Sequence, residues 1–200
     1  SCGSSPRERF VVYAFKQGLI PAPESRGRVL HLAPGEKNII RYLRTLGEWI
    51  GGDLDPTQYG SDVIELDLTT MSFDAPFDLI YASHVLEHIP DDRLAMRQLR
   101  DHLTPSGCAV ILVPLRGDKT EEGGPDLTGA ERHRRFGQWD HVRQYGMDIV
   151  DRLEGEGLAV EIVDAKDVGP DVIERFRFET HGYTGDAETD RIFLCRRQQG

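Results

Sequence analysis

The feature that most constrains this chain is a repeated change of hydrophobic period. From Arg28 onward, short apolar runs alternate with segments whose apolar residues recur at helical spacing. Val29-Leu30-His31-Leu32 reads as a buried strand, Ala33-Pro34-Gly35-Glu36 as a turn, and Ile39, Ile40, Leu43 and Leu46 as one helix face. Trp49-Ile50-Gly51-Gly52-Asp53 is the next strand. Strands separated by helices of this length pair in parallel through right-handed crossovers, so the pattern predicts an open α/β sheet. Phe77-Asp78-Leu79-Ile80-Tyr81 and Cys108 to Val113 add strands. Asp91 to Leu103 is a helix with Ala95, Leu99 and Leu103 on one face, and Pro105-Ser106-Gly107 is a turn. Tyr145, Ile149 and Leu153 mark a late helix stopped by Gly155 and Gly157. Leu158 to Val163 and Arg191 to Cys195 follow without a long helix between them, which predicts an antiparallel edge element.

A chain of 200 residues supports one such core, expected over residues 28–200. Residues 1–27 stand apart from it. Ser5-Pro6-Arg7-Glu8 combines a hydroxyl cap, a proline in the first turn and a carboxylate placed to close a capping box, so a short helix is expected there. Phe10, Val11, Ala14 and Phe15 form its apolar stripe, and Gly18 stops it before the linker Pro21-Ala22-Pro23. The helix packs on the domain or acts as a lid over a site; both readings stand at this point.

The formal charge of −10 disfavours partners that bind through phosphate counterion release, so neither nucleic acid nor a membrane surface is expected. No run is long enough to span a bilayer and no secretory pattern opens the chain, which predicts a cytoplasmic location. Cys2, Cys108 and Cys195 are odd in number and widely spaced; they fit reduced thiols and make no complete zinc-ligand set, so no metal is expected.

In an open parallel sheet, ligands bind beyond the carboxyl ends of the strands. Three acids stand there. Glu36 follows the first turn, Asp53 ends the second strand, and Asp67 follows the third. A carboxylate at the second strand end can grip two ribose hydroxyls, and one at the third can accept from an adenine amino group while the Leu68 amide faces a ring nitrogen. Each acid alone is equally well a solvated strand end. Together, without a Gly-x-Gly-x-x-Gly phosphate turn, they describe a nucleoside site and argue against a dinucleotide-dependent oxidoreductase.

The segment Phe77-Asp78-Leu79-Ile80-Tyr81-Ala82-Ser83-His84-Val85-Leu86-Glu87-His88-Ile89, with the turn Leu103-Thr104-Pro105-Ser106-Gly107, resembles class I S-adenosylmethionine (SAM) dependent methyltransferases of small molecules over residues 28 to 165. That resemblance implies a Rossmann-like fold with a mainly parallel seven-stranded sheet and an antiparallel edge. It implies SAM as cofactor, with Asp53 and Leu54 at the ribose, Asp67 and Leu68 at adenine, His84 near the methionyl part, and His31, Ala33, Gly35 and Glu36 forming the first turn. The usual acid-Gly-x-Gly-x-Gly turn is replaced here by His31-Leu32-Ala33-Pro34-Gly35-Glu36. A bacterial subgroup has a similar Leu-His-x-Ala-Pro-Glu turn and a block resembling Phe136-Gly137-Gln138-Trp139-Asp140-His141-Val142-Arg143-Gln144-Tyr145-Gly146. Cys2-Gly3-Ser4 resembles the end of that subgroup's cysteine-containing leader, without its partner cysteine.

The methyl acceptor is read from a basic stretch. Arg132, His133, Arg134 and Arg135, followed by His141 and Arg143, crowd what reads as one loop, and Glu131 and Asp140 offer it salt-bridge partners. Guanidinium groups suit a carboxylate or phosphonate because they pair two oxygens at once. The expectation is O-methylation of a small acidic metabolite in bacterial biosynthesis. His141, Arg143 and Tyr145 would orient the acceptor, Arg134 and Arg135 would bind it, and Arg9 or Lys16 would reach in from the N-terminal helix. An acceptor that is already anionic needs orientation more than a base. His88 is either a base for a neutral hydroxyl or a structural histidine. A homo-oligomer, a neutral hydroxyl or nitrogen acceptor, and a non-catalytic interaction module on the same fold remain open alternatives.

Overall fold

The computed structural model describes residues 3–24, 26–178 and 191–198. The cysteine-leader resemblance at Cys2 falls outside them. Strands β1 (Gly27–Leu32), β2 (Gly47–Asp53), β3 (Val63–Glu65), β4 (Phe77–Ser83) and β5 (Leu103–Leu112) pair in parallel in the order β3-β2-β1-β4-β5. A two-stranded ribbon, β6 (Glu121–Glu122) and β7 (Arg143–Gln144), lies outside the sheet. The sheet is completed by β8 (Leu158–Asp164) and β9 (Arg191–Arg197): β9 inserts antiparallel between β5 and β8. This is the expected Rossmann-like α/β fold with seven strands.

Because successive strand residues face opposite sides, each central strand feeds two cores. Leu30, Leu32, Ile80, Ala82, Ala109 and Ile111 pack on one face with α3 (Asp92–Asp101) and α5 (Ile149–Gly155). On the other face, Val29, Leu79, Tyr81, Val110 and Leu112 pack with α1 (Pro6–Lys16) and α2 (Lys37–Leu43). The last four residues of β1 and the last six of β5 are buried, which reflects cover on both faces and is why these strands read as continuous apolar runs.

Helix α1 closes its capping box as the sequence predicts: the Ser5 side chain accepts from the Glu8 amide, and Glu8 accepts from the Ser5 amide. Its apolar stripe is fully buried in the second core. Two elements differ from expectation. Pro105-Ser106-Gly107 is absorbed into β5 as an irregularity, where the partner of Phe77 is Leu103 but the partner of Leu79 is Cys108. A side chain at Gly107 would meet the Phe77 carbonyl oxygen at 2.7 Å, so the strands close there only over a glycine. The basic stretch is not a loop but α4 (Gly129–Phe136), with a Thr128/Glu131 capping box and Gly137 as its left-handed stop. Thr-x-x-Glu was a legible start signal. A last helix, α6 (Pro170–Phe176), packs on α1 through the aromatic pair Tyr13 and Phe176.

Cys108 and Cys195 are buried free thiols, and burial pushes the Cys108 thiol up to about 11. No helix among the described residues is long and apolar enough to cross a membrane.

Candidate active site at the strand ends

The carboxyl ends of β1, β2 and β4 open into a cavity of about 670 Å³, within the range usual for small-molecule sites. Ala33, Gly35, Glu36, Asp53, Leu54, Asp67, Leu68, His84 and His88 all line it. Ala33 and His84, at the ends of neighbouring strands, both hold left-handed backbone (φ 48° and 55°), a conformation that costs a non-glycine residue about 1 kcal/mol or more. Each is pinned across the sheet, since the Ala33 amide donates to the Gly52 carbonyl (2.8 Å) and the His84 amide to the Leu112 carbonyl (2.9 Å).

The three acids differ in what they have left to offer. Asp53 accepts from the Asp55 amide (2.8 Å) and from the Tyr59 hydroxyl (3.1 Å), which fixes its carboxylate at the end of β2. Asp67 spends one oxygen, Oδ1, on the amide and hydroxyl of Thr69, and no hydrogen bond from the described residues engages Oδ2. Glu36 is spent on both sides: Arg7 donates to Oε1 at 3.0 Å and the Tyr81 hydroxyl to Oε2 at 3.1 Å. Gly35 carries open space where a side chain would project, which leaves the first turn bare toward the cavity.

A second group of side chains lines another part of the cavity. Arg7 lies 2.6 Å from His84 Nε2, His84 Nδ1 is 3.2 Å from Glu87, and His88 Nδ1 is 3.2 Å from Asp140. Gln138 and Asp140, from the segment after α4, complete this wall. Among the described lining residues Arg7 is the only Arg or Lys.

Several expected residues lie elsewhere. His31 points into the second core, edge-on to Tyr81 and Trp49, and burial lowers its pKa from 6.5 to about 3, so it is a neutral core residue. Arg143 is 3% exposed and does not reach the cavity. It donates to the carbonyls of Leu86 (3.1 Å), Ile89 (2.5 Å) and Pro90 (2.8 Å) and pairs with Glu122 at 3.1 Å. Tyr145 donates to Asp92 (2.7 Å), and Arg152 pairs with the same carboxylate at 2.8 Å. Burial would raise the Asp92 pKa, but hydrogen bonds from Arg152 and Tyr145 and the Arg143 charge hold it below the usual carboxylate range. Arg143 thus holds the Leu86–Pro90 turn, and neither it nor Tyr145 lines the cavity. His141 is also buried, with Nδ1 2.9 Å from the Phe136 carbonyl and its ring 4.7 Å from that of His88.

The remaining basic residues also lie outside this cavity's lining. Arg135 donates to Glu121 at 2.7 and 2.9 Å, and Arg134 is exposed outside the cavity lining. Arg9 donates to the carbonyls of Ser4, Phe176 and Arg177, and with Lys16 it lines a separate cavity of about 570 Å³. Arg7 lines the cavity from inside the capping-box signature, which in sequence signals only a helix start. Helical spacing from Phe10 places it one turn back along the helix.

A family model of the methyltransferase domain matches residues 8–161, and the chain belongs to that family. Fold and family together define a SAM-dependent methyltransferase. No curated protein matches the sequence. Among solved structures, it resembles a SAM-dependent methyltransferase from Mesorhizobium loti (15% identity, TM-score 0.61, 90% of this chain and 95% of that one). It also resembles a chain of the Haloferax volcanii complex between the Trm112 methyltransferase activator and a putative methyltransferase (14%, 0.62, 96% and 91%). A third is the Burkholderia thailandensis 1,6-didemethyltoxoflavin-N1-methyltransferase with bound substrate and S-adenosylhomocysteine (13%, 0.56, 97% and 78%).

Proposed function

We propose that this methyltransferase transfers its methyl group to an oxygen of a small acidic metabolite, a carboxylate or phosphonate being the fitting chemistry. The observation that carries this reading is the polar wall of Arg7, His84, His88, Gln138 and Asp140. The basic stretch predicted for that role is engaged elsewhere. Arg7 is a fixed guanidinium: Glu36 holds its Nε edge, and the whole group is presented by α1, whose buried stripe and Glu8 to Asn38 bond tie it to the first turn.

The residues present fit the cofactor at the other part of the cavity. Asp53 would take the ribose hydroxyls, Asp67 with its unengaged oxygen and Leu68 the adenine, and the bare Ala33 to Gly35 turn with His84 the methionyl part. SAM supplies a methyl group on a positively charged sulfur, so the acceptor must bring an electron-rich atom in line with it. Strands β2 and β4 flank β1, which sets Asp53 and His84 two strand spacings apart, roughly 9.5 Å. The chain's own contribution to rate is to orient the acceptor oxygen and exclude other poses. Helix α1 acts in this reading as a fixed wall of the acceptor site and not as a lid that swings.

The test is incubation with methyl-labelled SAM and a panel of phosphonates, carboxylates, phenols and amines. Label on an acidic oxygen is expected, with Arg7→Ala raising the acceptor KM about fivefold, roughly 1 kcal/mol. Label found only on nitrogen or carbon contradicts the oxygen reading.

A further inference from the structure

Just after β4, a one-turn 3-10 segment (Leu86–His88) buries Glu87, which is 1% exposed, and neither carboxylate oxygen has a hydrogen-bond partner among the described residues. An ionised carboxylate taken out of water without hydrogen bonds is costly, by several kcal/mol in real proteins. Something positive is expected against it. His84 approaches one oxygen at 3.2 Å without closing a hydrogen bond, so it only partly answers the need.

The two neighbouring histidines are set up differently. His141 has Nδ1 against the Phe136 carbonyl, and His88 has Nδ1 against the Asp140 carboxylate. Both partners are acceptors, so a neutral ring at either position carries its hydrogen on Nδ1 and keeps a lone pair on Nε2. A backbone carbonyl or carboxylate behind Nδ1 is how metal-ligating imidazoles are oriented. The rings stand perpendicular with centroids 4.7 Å apart, and one ligand-capable atom from each of Glu87, His88 and His141 lies within 4.8 Å of the others. Donors around a cation with bonds of about 2.1 Å sit roughly 3 to 4 Å apart, so a contraction of about an ångström closes the set.

We propose that Glu87, His88 and His141 bind a divalent first-row transition cation, and that its open positions take oxygens of the methyl acceptor. Two imidazoles and one carboxylate suit zinc, manganese, iron or cobalt better than calcium or magnesium, which prefer oxygen alone. His88 lines the cavity while Glu87 and His141 lie behind it, so the cation faces the acceptor wall. Arg143 holds the carbonyls of Leu86, Ile89 and Pro90 and so fixes the turn that carries two of the three ligands. The absence of a cysteine-based site, on which the metal-free expectation rested, has no bearing on this set. The acceptor half of the proposal rests on the oxygen-acceptor reading; the cation half does not.

The test titrates cobalt(II) into the chelator-stripped full chain and follows visible absorption, with zinc(II) measured by calorimetry. One cation per chain is expected, with Glu87→Gln and His141→Ala each weakening it by about a hundredfold. Zinc should also raise the melting temperature of the wild-type chain, a readout that needs no variant to fold. No stoichiometric binding to the folded wild-type chain, or binding unchanged in both variants, overturns the site. Cation binding together with methyl transfer only to nitrogen keeps the site and overturns its acceptor role. Methyl transfer to oxygen by a chain that binds no cation overturns the site and leaves the oxygen reading standing.

Discussion

The two parts of the cavity are built in opposite ways. The part proposed for the cofactor takes one short segment from each strand end: Ala33 to Glu36, Asp53 with Leu54, and Asp67 with Leu68. The part proposed for the acceptor is assembled from distant pieces, with Arg7 on α1, the turn after β4, and Gln138 with Asp140 after α4. In the first, backbone topology alone delivers the side chains; in the second, buried polar side chains must hold the pieces together. The two should therefore fail differently when mutated.

The sharpest contrast is Arg143→Ala. It takes the guanidinium from three carbonyls and leaves the buried Asp92 with Arg152, and breaking a buried pair of this kind costs about 3 kcal/mol. A melting temperature lower by about 10 °C is expected in a chain of this size, with the Kd for SAM changed less than threefold, both read by calorimetry. A stable variant with a raised acceptor KM would return Arg143 to direct acceptor binding.

A smaller effect concerns His31, which belongs by sequence to the first turn and by structure to the core. Its folded pKa of about 3 lies below the unfolded value near 6.5. Between those values the unfolded chain binds the proton and the folded chain does not, so stability falls as pH falls, by about 1.4 kcal/mol per unit at most. Above pH 6.5 the term vanishes. His31→Phe should remove this share of the acid slope in denaturant melts between pH 6 and pH 4, as ordered about by the same linkage. An unaltered slope would show that His31 titrates normally.

The same contrast explains what was legible in the sequence. Period and turn chemistry are local, so β1, β2, β4, α1 and the strand-end acids could be read residue by residue. His31 misled because the motif marks a turn, whereas the strand's alternation decides which face the side chain takes. The basic residues misled for another reason. Charge in sequence does not say whether a guanidinium meets a ligand or a carboxylate, and Glu121, Glu122 and Asp92 claim Arg135, Arg143 and Arg152 from separate elements. Arg7 and Glu87 gain their surroundings only through contacts across the fold, such as Arg7 with His84, 77 residues away.

The proposed cofactor site stands or falls on Asp53, the acid at the end of β2. Calorimetric titration of SAM into the wild-type chain and into Asp53→Ala tests it most directly. Loss of two charge-assisted hydrogen bonds predicts a Kd about a hundredfold weaker, roughly 2.7 kcal/mol, with an unchanged melting temperature in the absence of SAM. Equal affinity of the two proteins for SAM would contradict the account and place the nucleoside elsewhere.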